Sequence, residues 1–554
     1  MRHPFLISTV VLASALSSPL LAQHSHGQPP PTPAARPAPA LLEGMGSHHH
    51  AISTSSPEAQ KFFDQGLTLL YGFNHEEAIR SFERAAELDP SAPMPHWGIS
   101  LALGMNYNDP QPAVERLKSA YEEAQKALAL SAGGPSNERA YAQAVARRYS
   151  ADPKSDPKAL LRDYNAAMGE LSKSYPDDLD AATLYAESGM NLRPWKLWKA
   201  DGTPEEGTAE ILAVLESVLK RDPSHPGANH YYIHAVEASL HPERALASAS
   251  RLQTLVPGAG HLVHMPAHIY MRTGDYAGAA KANAAAGETD RAYFRETSPS
   301  DMYRIMYYCH NLHFESAAAV MAGRYSEARE SADRLYEEAL PKASMDPTVE
   351  GYLVQPLVVA VRFRKWNEIR AMPDPGPSLP ATRAFWLYAQ AAAAAESGNR
   401  EGAEKRRVAF QAASQGIAPE RLLGPQNTVR GVLAVSGHDL DARIAKARGD
   451  RQAAIESWRL AVAAEDALAY DEPPPWQQPM RESLGAALLA AGQAREAERV
   501  FRDDLQVHPR NGRALLGLVE SLKAQGKSSD AAWVQTQFDA AWANADTKIS
   551  VEGL

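Results

Sequence analysis

The chain has a single cysteine, Cys309, among 554 residues. No intramolecular disulfide can form, so stability has to come from packing or from a bound metal. A surplus of positive charge is also missing, since 56 lysines and arginines stand against 66 aspartates and glutamates, for a formal charge of −10. That balance argues against a nucleic-acid partner, because phosphate binding needs clustered Lys and Arg. Beyond residue 22 no segment offers the roughly 20 consecutive apolar residues that a membrane span needs. Phosphate-binding loops, Gly-x-Ser-x-Gly elbows and His-Glu-x-x-His motifs are absent too, so the common nucleotide-binding and hydrolase routes lack support. The apolar residues are rich in Ala and Leu and poorer in Val and Ile, which favours helix over strand. Almost no sheet is expected.

What is present begins with a leader. Residues 1–22 carry Arg2, an apolar run from Phe5 to Leu16, and the small residue Ala22 at a cleavage-like position, and they read as a secretory signal peptide. Export to the periplasm or the exterior is the expectation, with no transmembrane segment after signal removal; retention as an N-terminal anchor is the alternative. Residues 23–55, with the run QPPPTPAARPAPA, read as a Pro/Ala-rich flexible tether. Within it, His48, His49 and His50 are either part of that flexible tract or able to reach a metal.

From Ser56 onward the chain repeats with a period of about 34 residues. One unit carries Gly66, Ala78, Phe82 and Pro90, and a late one carries Gly485, Gly492, Ala497, Phe501 and Pro509. Looser copies end in Gly274-Asp275-Tyr276, Gly323-Arg324-Tyr325, Gly398-Asn399 and Gly449-Asp450, which stop one helix and start the next. This pattern resembles the tetratricopeptide repeat (TPR) family. The resemblance implies an all-α fold, a right-handed α-solenoid of TPR helix pairs with a concave groove, spanning residues 56–545 in about eleven or twelve pairs, with 546–554 as a C-terminal tail. It also implies that the first helix of each pair lines the groove at repeat positions 2, 5, 9 and 12, and that a protein or peptide partner is the ordinary occupant. The blocks 62–82, 230–239, 260–270, 310–314 and 470–476 further resemble a group of long exported bacterial TPR proteins of unestablished activity.

Seven of the eight histidines within residues 226–342 form a set in consecutive repeats: His230, His234, His261, His264, His268, His310 and His313. The Gly, Ala, Tyr and Pro register, fixed without reference to histidine, puts every one of them on a groove position, together with Glu237. Spacings of three, four and seven share one helix face, and neighbouring helices lie about 8–10 Å apart, so rings from adjacent rows can meet. Imidazoles without thiolates suit copper, zinc, nickel or iron. One or two copper ions are the first expectation, with zinc or iron as alternatives, and a copper-dependent oxidoreductase using dioxygen is the functional one. Glu237 is read as a ligand or proton acceptor. In ligand count alone the set resembles the type-3 dicopper sites of tyrosinases, on a different fold. The competing reading is a TPR scaffold for a protein or peptide, or a metal-storage protein, without catalysis.

Other residues are read as structural. His75 and His96 belong to helix packing, as do Tyr231, Tyr232 and Tyr270. Cys309 sits on a different face from its neighbour His310, while Tyr303 and Tyr307 lie where they can border the site. The 193–198 loop (RPWKLW) is either a functional insertion or a packed loop. The stiff, acidic 470–476 loop (YDEPPPW) reads as a connector.

Overall fold

The computed structural model describes residues 37–554, and the segment expected to be a signal peptide lies outside them. Residues Pro39–Leu554 form one compact unit. Among the described residues there is no strand, only the isolated bridges Trp198–Pro204 and Leu422–Thr428, and no helix is long and apolar enough to cross a membrane. The helices follow one another as antiparallel pairs, each packed on the next in sequence, as an α-solenoid requires.

Local chemistry sets the repeat. Ser56 caps the helix Pro57–Tyr71 by accepting the Ala59 N–H (3.1 Å), with Pro57 in the first turn, where its missing N–H costs nothing. Asn74 caps His75–Leu88 in the same way. The small residue of the repeat has a steric cause. A Cβ on Gly66 would lie 2.6 Å from the Phe82 ring, and one on Gly98, in the next repeat, would lie 2.8 Å from the same ring. Phe82 is therefore clamped between two glycine faces. Phe501 repeats the arrangement between Gly485 and Gly517.

Two large apolar clusters, one spanning Ala59 to Tyr307 and the other Val354 to Val534, flank smaller clusters at the histidine repeats. The array also closes on itself. The Tyr276 hydroxyl donates to the Pro509 carbonyl (2.9 Å), and Arg362 makes a buried bidentate pair with Glu482 (2.6 and 2.9 Å). Asp546 accepts the N–H groups of Tyr325 and Ser326 (2.6 and 2.8 Å). The last repeats thus return to the middle ones. The inner face, expected as an open groove, becomes an interior: every residue of the helix Pro226–Val236 is buried.

The flexible-tether expectation needs correction for its described part. From Pro39 on, the segment read as a flexible tether is packed in place, with the Leu42 N–H on Gln65 (2.7 Å) and the Thr54 hydroxyl on Asp89 (2.6 Å). Residues of the 546–554 tail are docked as well, Asp546 as above and Glu552 through its carbonyl on Arg364 (3.2 Å). Proline and alanine content predicted weak self-packing but carried no information about partners elsewhere in the chain.

Candidate metal centre

Six of the seven predicted histidines converge in two adjacent triads. His230 and His234 project from Pro226–Val236, His261 and His264 from the short helix Gly260–His264, His268 from Pro266–Thr273, and His310 from Cys309–Met321. His230, His234 and His261 bring one nitrogen each within 4.8 Å of one another, and so do His264, His268 and His310. The triads share an element, because His261 and His264 occupy successive turns with ring centroids 5.5 Å apart. They also share a carboxylate. Glu237, at the end of its helix, accepts the Nδ1–H of His234 on one oxygen (2.7 Å) and that of His268 on the other (2.5 Å).

The position of the protons decides what this geometry needs. His230 donates Nδ1–H to the Tyr71 carbonyl (2.5 Å). His264 donates Nδ1–H to Asn283 Oδ1 (2.6 Å), whose amide nitrogen is committed to the Ala279 carbonyl. With Nδ1 protonated, the Nε2 atoms of His230, His234, His264 and His268 carry lone pairs. Yet His264 Nε2 faces His268 Nε2 at 2.8 Å and His310 Nε2 at 3.2 Å. In the other triad His230 Nε2, His234 Nε2 and both nitrogens of His261 are buried without a partner. When His264 and His268 are both neutral, their Nε2 atoms are buried acceptors facing one another with no proton between them, which is costly. A cation resolves the conflict, and bonds of about 2.0 Å to a tetrahedral ion put nitrogens roughly 3.3 Å apart. A carboxylate behind the distal nitrogen is the outer-shell partner that metal-bound imidazoles use.

Electrostatics agree most strongly for four of the six rings; burial works against a proton on His268, but Glu237 beside it outweighs that and raises its affinity for one. Burial, reinforced by neighbouring imidazoles, holds His230, His261, His264 and His310 well below the usual histidine range, leaving them neutral as ligands must be. Burial would push Glu237 up, but His268 and His234 bring it down to about 2, so it is ionised. Both its oxygens are taken by Nδ1 atoms. That makes it an orienting group for both triads; with His234 and His268 it also forms a set close enough to hold an ion, the ligand role expected from the sequence.

His313 falls outside both triads. Its Nε2 accepts from Gln477 (3.1 Å), and its ring packs on Tyr352. Cys309 is buried in a separate apolar cluster, where burial pushes its thiol up to about 12. Tyr307 does border the site, with its ring 5.0 Å from His261, whereas the Tyr303 hydroxyl is turned to Asp290 (2.9 Å). The backbone carrying Arg304–Tyr308 is a π-helical turn running into Cys309–Met321, a local widening of the helix common at functional sites.

Sequence reasoning passed over Phe73. Its φ of 57° is left-handed, an uncommon state for a bulky residue, and it brings the ring within 4.5 Å of His230 and 5.5 Å of His261. Its only signal was its place in the 62–82 block. In the 193–198 loop, Trp195 packs on His234 (5.5 Å), and Trp198 donates to the Ala235 carbonyl (2.8 Å). The connector reading of 470–476 is overturned. That loop lies against the site, with the Tyr470 hydroxyl on Glu472 Oε1 (2.5 Å) and 3.5 Å from Glu237. Together these segments enclose a cavity of about 250 Å³ bounded by His234, His261, His268 and His310 on one side and by Glu472 on another.

A second histidine cluster surrounds Asp180. Its Oδ1 accepts from the Tyr71 hydroxyl (2.5 Å), His48 Nε2 (2.9 Å) and His225 Nε2 (3.2 Å), and its Oδ2 from His50 Nδ1 (2.8 Å). His48, Asp180 and His225 are also close enough to hold an ion. Here, however, each nitrogen facing the carboxylate has a proton to give. His225 Nδ1 caps its helix by accepting the Ala228 N–H (3.2 Å), which leaves the proton on Nε2. The carboxylate is saturated with donors without a metal, and His50 Nε2 is the nitrogen of the cluster left buried without a partner.

No protein-family model matches the chain, and no curated protein matches it. Among solved structures, yeast Tom70 aligns over 86% of this chain and 96% of its own, at 14% identity and a TM-score of 0.31. Human IFIT1, solved as a dimer with PPP-AAAA, aligns over 89% of this chain and 92% of its own, at 14% identity and a TM-score of 0.32. Naa15/Naa10 bound to HypK-THB aligns over 88% and 90%, at 12% and 0.24. Scores of this size bear on nothing in the site.

Proposed function

We propose that this protein is an exported metalloenzyme holding two transition-metal ions, one in His230, His234 and His261 and one in His264, His268 and His310. The carrying observation is the pair His264 Nε2 and His268 Nε2, 2.8 Å apart with both Nδ1 protons committed elsewhere. Six imidazoles with no thiolate or direct carboxylate ligand favour copper, with zinc or iron as alternatives. A bound copper pair supplies two electrons for reactions of dioxygen, so an oxidoreductase is the reading. Within it, Glu237, Asn283 and the Tyr71 carbonyl fix the ring orientations, Phe73 and Phe314, the latter with its ring 5.2 Å from His264 and 5.1 Å from His268, exclude water, and the 470–476 loop borders the space where a substrate sits. Export rests on Arg2, the apolar run and Ala22.

A helix-pair solenoid also fits a protein-binding scaffold, since such arrays present extended surfaces. The cavity against both triads favours catalysis over plain storage, which needs no adjoining space. Metal content by mass spectrometry on untagged protein, compared with a His264→Ala/His268→Ala variant, tests the proposal. One or two equivalents of copper, iron or zinc in the natural protein, lowered in the variant, is the expected result. Sub-stoichiometric metal in both after reconstitution leaves the scaffold reading.

A further inference from the structure

The cavity beside the triads has an apolar body and, besides the nitrogens of His234 and His261, two polar atoms buried without a partner, Asn108 Oδ1 and Glu472 Oε2. Trp195, Tyr307, Tyr352, Phe385 and Leu423 form much of its wall. Most polar groups at the other end already have partners. Gln477 and Gln355 bond to each other (2.8 and 3.1 Å), and His313 accepts from Gln477. Asp471 accepts the Glu472 N–H (3.2 Å) and the Asn427 amide (3.4 Å). Glu472 is the exception: its Oε1 is held by Tyr470, while its Oε2 is buried without a partner. Burial pushes Glu472 up to about 7, so the group is ionised above neutral pH, and a carboxylate oxygen buried in this way is then stabilised when a donor arrives.

We infer that this cavity binds a small neutral molecule with an apolar, ring-sized body and one hydroxyl group, and that Glu472 Oε2 accepts the hydrogen bond of that hydroxyl. Size supports the body, because a dry apolar cavity of about 150 Å³ already accepts benzene and this one measures about 250 Å³. Charge supports the neutral hydroxyl. An anion would meet Glu472, Asp471 and Glu237, and a cation would meet the metal ions of the triads; in that second clause only, the inference rests on the proposed metal centre. The stiff Pro473-Pro474-Pro475 run holds Glu472 in place, so the acceptor is positioned before the ligand enters.

The test uses the whole protein, with phenol and toluene as probes of nearly equal shape, titrated calorimetrically into the natural chain and a Glu472→Gln variant whose metal content is measured in parallel. Phenol is expected to bind the natural chain about tenfold or more tighter than toluene, the range of a hydrogen bond to a charged acceptor. In Glu472→Gln the two affinities should converge while metal content and toluene binding stay unchanged. Equal affinities in the natural chain, a preference that survives in Glu472→Gln, or no binding of either probe would overturn the inference. Should Glu472→Gln misfold, Leu423→Trp fills the cavity instead and should abolish binding of both probes; binding that persists would overturn it equally. A phenol preference in metal-free protein would retain the pocket and remove the metal centre, and full metal without a preference would do the reverse.

Discussion

Two histidine clusters meet at one helix, and they differ in where their protons lie. His225 caps Pro226–Val236 and belongs to the Asp180 cluster, while His230 and His234, one and two turns on, belong to the triads. Tyr71 touches both, through its hydroxyl on Asp180 and its carbonyl on His230. Around Asp180, three imidazole N–H groups and a hydroxyl converge on a carboxylate with four acceptor sites. In the triads the donors point outward and the acceptors point at each other. Proximity of histidines is common to both clusters. Only the direction of their outer hydrogen bonds separates a centre that needs a cation from a hub that is already neutralised.

Removing the cation should have the largest effect. Stripping the protein with a chelator is expected to lower its unfolding free energy by about 3–4 kcal/mol for each ion held at 100 to 1,000 times its Kd, read as a fall in Tm that returned copper or zinc reverses. A chelator without effect on Tm would collapse the distinction between the clusters. Asp180→Ala tests the other side. It leaves Tyr71, His48, His50 and His225 with buried donors and no acceptor, and a loss of about 3–5 kcal/mol is expected from urea unfolding, with the metal equivalents unchanged. Loss of one equivalent would make the hub a metal site after all.

Glu237→Gln sharpens the comparison at the group both triads share. An amide offers one acceptor where the carboxylate offered two, so either His234 or His268 loses its outer partner. Metal affinity, read by competition with a chromophoric chelator, is expected to fall by about 10–100-fold. An unchanged affinity would mean that Glu237 does not orient the rings.

Much of this was legible from local pattern. Gly66, Phe82 and Gly98 are spaced by the repeat because the ring of one pair sits between glycines of two successive pairs, and the same register placed six histidines on one interior face. The rest depends on contacts that local pattern does not encode. Tyr470 reaches Glu237 across 233 positions and His50 reaches Asp180 across 130. Both depend on how small rotations add up along the array. A repeat pattern specifies the neighbour contacts only, so an array that closes reads the same as an open one. Phe73 and the π-helical turn at Arg304–Tyr308 are departures from the repeat, and a method that reads repeats passes over them.

The smallest expected effect is a pH dependence confined to the hub. Burial works against protonation of His50, but its bond to Asp180 and the nearby Asp178 and Asp64 outweigh that, so its affinity for a proton is raised above that of an exposed histidine. Native protein then binds more protons than unfolded protein just above pH 6.5. The stabilisation is fully present below the unfolded value and is lost as pH rises through the folded one, with a slope of at most about 1.4 kcal/mol per pH unit for one proton. The unfolding free-energy difference between the natural chain and His50→Asn should therefore be largest near pH 6 and shrink toward pH 8. A difference that grows with pH would mean that His50 is held neutral, as His230, His261, His264 and His310 are, and would erase the electrostatic contrast between the clusters.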